Sequence, residues 1–295
     1  MTRENQSISS YYGFWYLVPS LIVLAVFWIV PLFFVGGYSL FHFTYGMHPH
    51  FVGVNQYRQL LETQSFWQAL KVTLLFTLGV VVAGGTISLV FAVLLYRGMR
   101  ASGLFRALFF LPYVMPVVAT STVWLWMYQP RVGVIDHVLG ALGLGSGIGW
   151  VNGPTLALVS VIIYTIWFSF GFTMLLFLAG LTNIPRDLLE AASVDGATAW
   201  RQFWHIIWPL LSPTTLFVIV INTINAFQTF TQIFALTRGG PLNGTTTLTY
   251  LIYETAFNYF HFGEASAQAV IFFVLILGLT GLQFWVSRRS IYYGG

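Results

Sequence analysis

Apolar residues occur along this chain in long runs that are separated by short polar segments. Six of these runs, at 14–37, 72–96, 107–128, 155–181, 210–236 and 265–287, are predicted to be membrane spans. A helix of about 20 apolar residues is long enough to cross the hydrocarbon core of a bilayer. The pattern therefore predicts an all-α polytopic membrane protein with six transmembrane helices.

Composition supports this prediction, because 57% of the 295 residues are hydrophobic and only 7% are charged. A soluble domain of this length needs more charge to cover its surface. The net charge of +4 is spread over loops, so it does not point to nucleic acid. The chain has no cysteine, and its histidines lie in loops or at span ends with only His48 and His50 close together. A metal site needs three or four converging ligands, so none is predicted.

Local signals refine the reading of individual segments. The run 14–37 is too long for a signal-peptide core and is predicted to be a retained first span. Apolar residues at helical spacing predict a short interfacial helix within 51–61. Pro112 and Pro116 interrupt the hydrogen-bond ladder of the third span, which predicts a bent helix. The glycine-rich segment 129–153 matches no nucleotide-binding pattern and is predicted to be a flexible connector.

Basic residues predict the orientation in the membrane, because they are enriched in cytoplasmic loops. Four lie on one set of alternating loops: Arg58, Lys71, Arg131 and Arg238. Eight lie on the other set, which includes both termini: Arg3, Arg97, Arg100, Arg106, Arg186, Arg201, Arg288 and Arg289. Both termini are therefore predicted to be cytoplasmic.

The absence of charged residues from the spans limits the possible energy sources for transport. None of the six predicted spans carries Asp, Glu, Lys or Arg in its interior. Carriers driven by protons or sodium usually place such a residue or unwound helix ends at mid-membrane. The chain also lacks the Gly-Lys-Ser/Thr of a phosphate-binding loop, so a partner must bind ATP if ATP drives it. A self-sufficient secondary carrier or channel is the alternative from another class.

The polar stretch between the fourth and fifth spans, Glu190 to Pro209, stands apart from the apolar runs around it. Asn183 and Pro185 are predicted to start a helix of about three turns that Gly196 ends in a left-handed cap. A second helix is predicted after it at the membrane interface, closed by Pro209. Two interpretations fit this pattern, namely a helix that docks into a groove of another protein and an ordinary solvated loop.

This stretch resembles the EAA motif of the permease subunits of ATP-binding-cassette (ABC) importers, whose pattern is EAA-x3-G-x9-I-x-LP. Trp208 replaces the usual leucine. The matching residues are Glu190, Ala191, Ala192, Gly196, Ile206 and Pro209. Segments after the first span, at the start of the third and before the sixth resemble those of the carbohydrate-type subgroup.

The resemblance implies the type I ABC importer permease fold, with residues 1–66 as an N-terminal addition and 67–295 as a five-helix core. The loop 182–209, including Asp195, would be the coupling loop that docks on one of two cytoplasmic ATP-binding subunits. ATP and Mg would be bound by those subunits, and this chain would hold no cofactor and catalyse no reaction. The other implied partners are a second homologous permease subunit, an extracytoplasmic solute-binding protein and the lipid of a bacterial or archaeal cytoplasmic membrane.

Polar residues of the fifth span predict the solute path. At about 100° per residue they share roughly a third of the helix circumference, and they are Asn222, Asn225, Gln228, Thr229 and Gln232. Amides and hydroxyls beside Phe227 and Phe230 suit a neutral polyhydroxylated ligand. Hydrogen bonding between helices is the alternative role. Trp167 and Ser169 of the fourth span are further candidates.

The prediction is therefore a permease subunit that imports a di- or oligosaccharide. The alternative solute is glycerol-3-phosphate or a related polyol phosphate, because the loop features also resemble those of glycerol-phosphate importers.

Overall fold

The structure is a computed structural model that describes residues 16–44, 48–96 and 102–287. Within these residues helices dominate, and the one sheet is a two-stranded hairpin. Four helices are long and apolar enough to cross a membrane, and up to six spans result when each of two bent helix pairs counts as one. The predicted all-α membrane architecture is confirmed. Five arginines used to predict the orientation lie outside the described residues: Arg3, Arg97, Arg100, Arg288 and Arg289.

The helices and strands follow one another with short connections, and π-helical segments interrupt α1, α3 and α9. In chain order the elements are α1 (Tyr16–Tyr38), β1 (Phe41–Thr44), β2 (His48–Phe51), α2 (Asn55–Glu62), α3 (Gln64–Tyr96), α4 (Ser102–Val114), α5 (Val117–Met127), α6 (Val134–Ala141), α7 (Ala157–Thr182), α8 (Arg186–Val194), α9 (Ala199–Leu210), α10 (Ser212–Phe227), α11 (Thr231–Leu236), α12 (Leu248–Tyr253) and α13 (Phe262–Ser287).

One compact unit combines the described residues of Met1–Thr63 with Ile252–Phe273. Its hairpin, which the sequence did not predict, pairs Phe41 with Phe51. The predicted short helix is present as α2, although it begins only after β2 has ended. Its location at the membrane interface stays a prediction. The backbone at Gly263 lies so close to the carbonyl of Phe41 that a Cβ would overlap its oxygen.

The other unit comprises Gln64–Leu251 and the described residues from Val274 onward. Its central helix is α7, and half of the residues in the most apolar stretch of α7 are buried. One buried cluster is rich in aromatic side chains and includes Phe76, Trp124, Tyr128, Tyr164 and Phe168. A second cluster is mainly aliphatic and includes Ala92, Leu95, Met174, Leu181, Ile184, Ile207 and Leu211. The second cluster extends to the polar loop 182–209, so this loop is built directly on the core.

The third span is more sharply broken than predicted. Helices α4 and α5 meet at 97° across Met115 and Pro116. Pro112 is tolerated inside α4, whereas Pro116 disfavours helical geometry at the residue before it. The break therefore comes at Pro116, and the predicted bent helix is two nearly perpendicular helices.

The segment 129–153 is ordered, so the prediction of a flexible connector was wrong. It contains α6, and Asp136 in the first turn of α6 is completely buried. The Asp136 carboxylate accepts hydrogen bonds from the backbone N–H groups of Gly147 at 2.7 Å, Ile148 at 3.0 Å and Arg131 at 2.6 Å. These bonds, led by that of Gly147, hold the pKa of Asp136 below its usual range. The Asp136 carboxylate thus holds the loop together by hydrogen bonds to residues that lie up to a dozen positions away. A local sequence pattern does not indicate these bonds.

Candidate functional site

The predicted helix of the polar loop is present as α8, but it begins later than expected. Asn183 does not start it, because this residue caps the end of α7. The backbone N–H of Asn183 donates to the Gly180 carbonyl at 3.2 Å. Pro185 is the residue that precedes the first helical position, Arg186. Asp187 lies in the first turn, where an acid interacts favourably with the positive end of the helix dipole.

The end of α8 is a left-handed glycine cap, as predicted. Gly196 has a φ of 77°. Its N–H donates to the Ser193 carbonyl at 3.1 Å, and the Ala197 N–H donates to the Ala192 carbonyl at 2.9 Å. This pair of bonds defines a Schellman motif, which satisfies carbonyls left over at a helix end. No atom lies within 4 Å of a Cβ built at Gly196, so backbone conformation and not space requires glycine here.

The surface of α8 is open to solvent. None of its residues is buried, and Val194 and Leu188 are 88% and 46% exposed. Glu190 and Ala191 are exposed beside them. Leu189 packs on the opposite side against the aliphatic cluster. The helix is thus anchored by one face and presents apolar and acidic side chains on the other.

Helix α9 is tied back to α8 by a side-chain bridge. The Gln202 amide donates to Ser193 Oγ at 2.9 Å and to the Ala197 carbonyl at 3.3 Å. The exposed Asp195 lies in the turn between the two helices. The bridge holds α8 and α9 together as one hairpin.

The second predicted helix is present as α9, and it ends at Leu210, one residue after the predicted end at Pro209. Pro209 occupies the first turn of a helical segment that follows the π-helical stretch Phe203–Ile207, and a missing donor costs little at such a position. Ile206 and Pro209 are both half-buried. The chain bends by 67° at Leu211, between α9 and α10.

A cavity of about 310 Å³ lies where α10 ends. Its lining includes all five polar residues predicted from the fifth span, together with Ser169 of α7. The full lining is Val80, Tyr113, Thr165, Phe168, Ser169, Phe172, Asn222, Asn225, Ala226, Gln228, Thr229, Phe230, Thr231 and Gln232. None of these lining residues is Asp, Glu, Lys, Arg or His, so the part of the cavity that the described residues form carries no ionisable acid or base.

The five polar residues do not share one face of a single helix, and that prediction was wrong. Helix α10 ends at Phe227 and α11 begins at Thr231. The carbonyls exposed by the break are satisfied from a distant segment, because Thr249 Oγ1 donates to Phe227 O at 2.9 Å and Thr247 Oγ1 to Thr229 O at 3.4 Å. Irregular backbone at membrane depth is tolerated only where protein buries it or it lines a cavity.

The polar side chains of the cavity differ in their hydrogen bonding. Asn222 accepts a hydrogen bond from Thr173 Oγ1 at 3.3 Å. The side-chain amides of Asn225, Gln228 and Gln232 have no hydrogen-bond partner among the described residues. These three amides therefore keep their donors and acceptors available to the cavity.

Aromatic side chains complete the lining in a way that the sequence did not indicate. Tyr113 stacks on Phe172, with ring centroids 4.7 Å apart and planes 7° from parallel. Phe230 lines the cavity as expected, whereas Phe227 is 1% exposed and is not part of the lining. Trp167 is also outside the lining, because its ring packs on Trp124 at 5.3 Å in the aromatic cluster. The sequence feature that could have identified Tyr113 as a lining residue is its position directly after the helix-breaking Pro112.

Metal binding is not supported by the geometry. Among the described residues, no three His, Asp or Glu side chains converge on a possible metal position.

Comparison with known proteins gives consistent matches over most of the chain. Residues 84–292 match the family model described as the binding-protein-dependent transport system inner membrane component. The sn-glycerol-3-phosphate transport system permease protein UgpA of Agrobacterium fabrum is 34% identical over 288 residues, covering 94% of this chain and 95% of that protein. The same-named protein of Pectobacterium atrosepticum is 34% identical over 287 residues, covering 97% of both chains.

Solved structures agree on the fold. A crystal structure of a bacterial ABC transporter involved in the import of the acidic polysaccharide alginate matches with a TM-score of 0.84 at 21% identity, covering 97% of this chain and 98% of that chain. The alginate transporter in complex with an alginate pentasaccharide-bound periplasmic protein matches with a TM-score of 0.85, also at 21% identity, and covers 98% of both chains.

Proposed function

The chain belongs to the family of binding-protein-dependent transport system inner membrane components, and from this premise we propose that it is the permease subunit of an ATP-driven sugar importer. It is a multi-pass protein of the inner membrane. The observation that carries the proposal is the exposed helix α8, whose EAA residues end in the Schellman cap at Gly196. The chain itself catalyses no reaction, and ATP is hydrolysed by partner subunits.

Helix α8 is the coupling helix in this proposal. Each of two cytoplasmic ATP-binding subunits receives one such helix, from this chain and from a second homologous permease. The exposed Val194 and Leu188 supply the apolar contacts. The exposed Glu190 supplies a charge at the edge of the groove of the ATP-binding subunit. The residues assigned to this coupling role are Glu190, Ala191, Ala192, Asp195, Gly196, Ile206 and Pro209. In the predicted orientation, with both termini in the cytoplasm, α8 lies on the side where ATP is available.

Force transmission follows from how α8 is attached. Leu189 of α8 and Ile184, which lies just before α8, pack into the aliphatic cluster. This cluster also contains residues of α3, α7 and α10. Closure of the ATP-binding subunits moves the two coupling helices together, and the packed cluster passes this movement to the spans. The transporter thereby changes from inward-facing to outward-facing, receives solute from the extracytoplasmic binding protein, and is reset by ATP hydrolysis.

The cavity at the end of α10 is the proposed solute path. Asn225, Gln228 and Gln232 offer unused amide donors and acceptors, and the stacked Tyr113 and Phe172 offer a flat apolar surface. Such a combination suits a neutral sugar, because hydroxyl groups pair with amides and sugar faces pack on rings. Asn222, Thr229 and Ser169 complete the polar side, whereas the role of Trp167 is support of the aromatic cluster.

A phosphorylated polyol is the second candidate solute, because the relatives compared above are named for sn-glycerol-3-phosphate transport. The described lining of the cavity holds no Arg, Lys or His to meet a phosphate. In that case the second permease would supply the positive charge. Competition of labelled sugar uptake by glycerol-3-phosphate, and the converse, separates the two candidates.

Reconstitution tests the importer itself. The expected result is that solute uptake into liposomes requires this chain, the second permease, the ATP-binding subunits, ATP and the binding protein together. Solute flux catalysed by this chain alone would overturn the proposal in favour of a self-sufficient carrier or channel.

Substitutions test the solute path. Asn225→Ala and Gln228→Ala are expected to lower uptake while leaving assembly with the partner subunits unchanged. Thr122→Ala is the matched control, because the Thr122 hydroxyl is exposed and donates only to Val118 O of its own helix. Loss of assembly in the Asn225 and Gln228 variants would show that these amides serve helix packing instead.

A further inference from the structure

Trp208 is the residue at which this chain departs from the EAA pattern, because a tryptophan stands where leucine is usual. It lies near the end of α9 and is 37% exposed. Its indole ring contacts that of Trp204, with centroids 5.9 Å apart, and the Trp204 ring contacts that of Trp200 at 5.6 Å. These three side chains form a continuous aromatic strip along α9.

A second cavity connects this aromatic strip with the polar cavity at the end of α10. It has a volume of about 310 Å³ and lies between α3, α7, α9 and α10. Asn222 lines both the polar cavity and the second cavity, and Trp208 is part of the lining of the second cavity. Apart from Asn222, Thr86 and Thr215, the lining of the second cavity is apolar or aromatic. The polarity of the lining therefore falls sharply beyond Asn222.

A third cavity, of about 570 Å³, continues from the second one along α3 and α9. It shares three lining residues with the second cavity, namely Thr86, Leu89 and Trp208. All three tryptophans of the aromatic strip line it. The three cavities thus follow one another, and each shares at least one lining residue with the next. In the predicted orientation α9 is on the cytoplasmic side, so the series leads from the polar cavity towards the cytoplasm.

The chemistry of the aromatic strip suits brief contacts with a neutral sugar. Indole faces pack against the apolar faces of sugar rings, and passage through a pore requires contacts that are weak enough to release the solute. None of the described residues that line the second and third cavities is Asp, Glu, Lys, Arg or His. The π-helical stretch Phe203–Ile207 lies between Trp200 and Trp208, and such stretches are frequent at functional sites.

We propose that the aromatic strip is an exit track for the imported sugar, and that Trp208 is the solute-contact residue where the track begins. The inference rests on the proposed function, because it takes the polar cavity as the solute path. Leucine at position 208 would fill the same space with apolar atoms but would offer no ring face. Tryptophans also occur at membrane interfaces, where they contact lipid. Continuity with the polar cavity favours the exit track, because contact with lipid does not require shared lining with the solute path.

Thiol accessibility distinguishes an aqueous track from a groove filled by lipid. The chain has no cysteine, so Thr86→Cys introduces a unique thiol in the wall that the second and third cavities share. Ile87→Cys is the matched control, because Ile87 is the next residue of α3, is 40% exposed and lines neither cavity. The assembled complex is placed in lipid nanodiscs without nucleotide and treated with a negatively charged methanethiosulfonate reagent, which stays in water.

The thiol at position 86 is expected to react about tenfold or more faster than that at position 87, because the reactive thiolate forms readily only in water. Equal slow reaction at both positions would show that lipid or the second permease covers the groove, and it would overturn the exit track. Equal fast reaction would also overturn it, because water would then reach α3 without following the cavities.

Protection by sugar tests the contact at Trp208. The probe is the sugar that the reconstituted unmodified complex takes up, and it is expected to slow the reaction at position 86. In the same protein with Trp208→Leu, the sugar concentration for half-maximal protection should rise about two- to tenfold, as for loss of one aromatic contact. Leucine is usual at this position of the motif, so this variant is expected to fold and assemble. Trp208→Phe, which keeps a ring, should restore most of the protection.

Trp126→Leu is the control for loss of a tryptophan, because Trp126 is 56% exposed in α5 and lines none of the three cavities. It should leave the protection unchanged. Absence of protection at position 86, or an equal shift in the Trp208→Leu and Trp126→Leu variants, would overturn the role of Trp208. Failure of the proposed function is distinguishable, because the unmodified complex would then take up no sugar at all.

Discussion

Substitution of Gly196 by alanine tests the coupling role of α8 most directly. The φ of 77° at this residue lies in the left-handed region, which costs an L-residue about 1 to 2 kcal/mol. No atom lies within 4 Å of the added Cβ, so the penalty is purely conformational and no packing is lost. The substitution therefore weakens the Schellman cap without disturbing the aliphatic cluster beneath it.

The expected effect follows from this penalty. If the ATP-binding subunit docks only on the capped form, its apparent association constant falls by up to about 5- to 30-fold, the factor that corresponds to 1 to 2 kcal/mol. Gly196→Asn should have a smaller effect, because asparagine enters the left-handed region more readily. The assay is titration of the purified permease pair with the ATP-binding subunit, followed by binding-protein-stimulated ATP hydrolysis.

Gly278→Ala is the matched control for this experiment. Gly278 lies in α13 and also has no atom within 4 Å of an added Cβ, but helical backbone accepts alanine without strain. The control should assemble as the unmodified chain does. The reasoning is refuted if Gly196→Ala and Gly278→Ala give the same association constant and the same stimulated activity.

Two further predictions concern packing and pH. Gly171→Ala should prevent stable insertion or lower the thermal stability sharply, because its Cβ would overlap the backbone carbonyl of Phe109 in α4; thermal unfolding in detergent measures this, and a stability equal to that of Gly278→Ala would contradict it. The lowered pKa of Asp136 means that its carboxylate stabilises the loop above the unfolded pKa of about 3.9, and that this contribution is lost as pH falls through the folded pKa. The protection factor of the Gly147 amide, which is the intrinsic exchange rate divided by the observed rate, should therefore be unchanged between neutral pH and about pH 5. Asp136→Asn should lower this protection factor at neutral pH; equal protection factors in both proteins would contradict the role of the carboxylate.

The polar loop and the spans were largely predictable from local sequence. Runs of apolar residues identify spans because a bilayer demands a fixed length of helix whatever the remaining fold. The Schellman cap was predictable because glycine after a short helix is the common way to enter the left-handed region. The start of α8 was less predictable, since Asn183 and Pro185 are both ordinary helix-start residues and only the length of α7 decided between them.

The polar residues that line the cavity were predicted from the sequence, but the helix break that forms the cavity was not. Nothing in the composition of 210–236 distinguishes a continuous helix from one that breaks at Gln228, because the apolar pattern runs through the break. The break is stabilised by Thr249 and Thr247, which satisfy the carbonyls of Phe227 and Thr229. Those threonines act across about twenty residues of sequence, so no local window contains both partners.

Sequence by itself determined that this chain spans a membrane, where its apolar helices lie and where the glycine ends α8, because bilayer thickness and helix capping act over short stretches of chain. Tertiary structure alone decided that α10 ends early, that Tyr113 joins the amides of the fifth span, and that Asp136 orders the loop around it. Each of these depends on a hydrogen bond or ring contact between residues distant in sequence, and such contacts form only once the helices have packed.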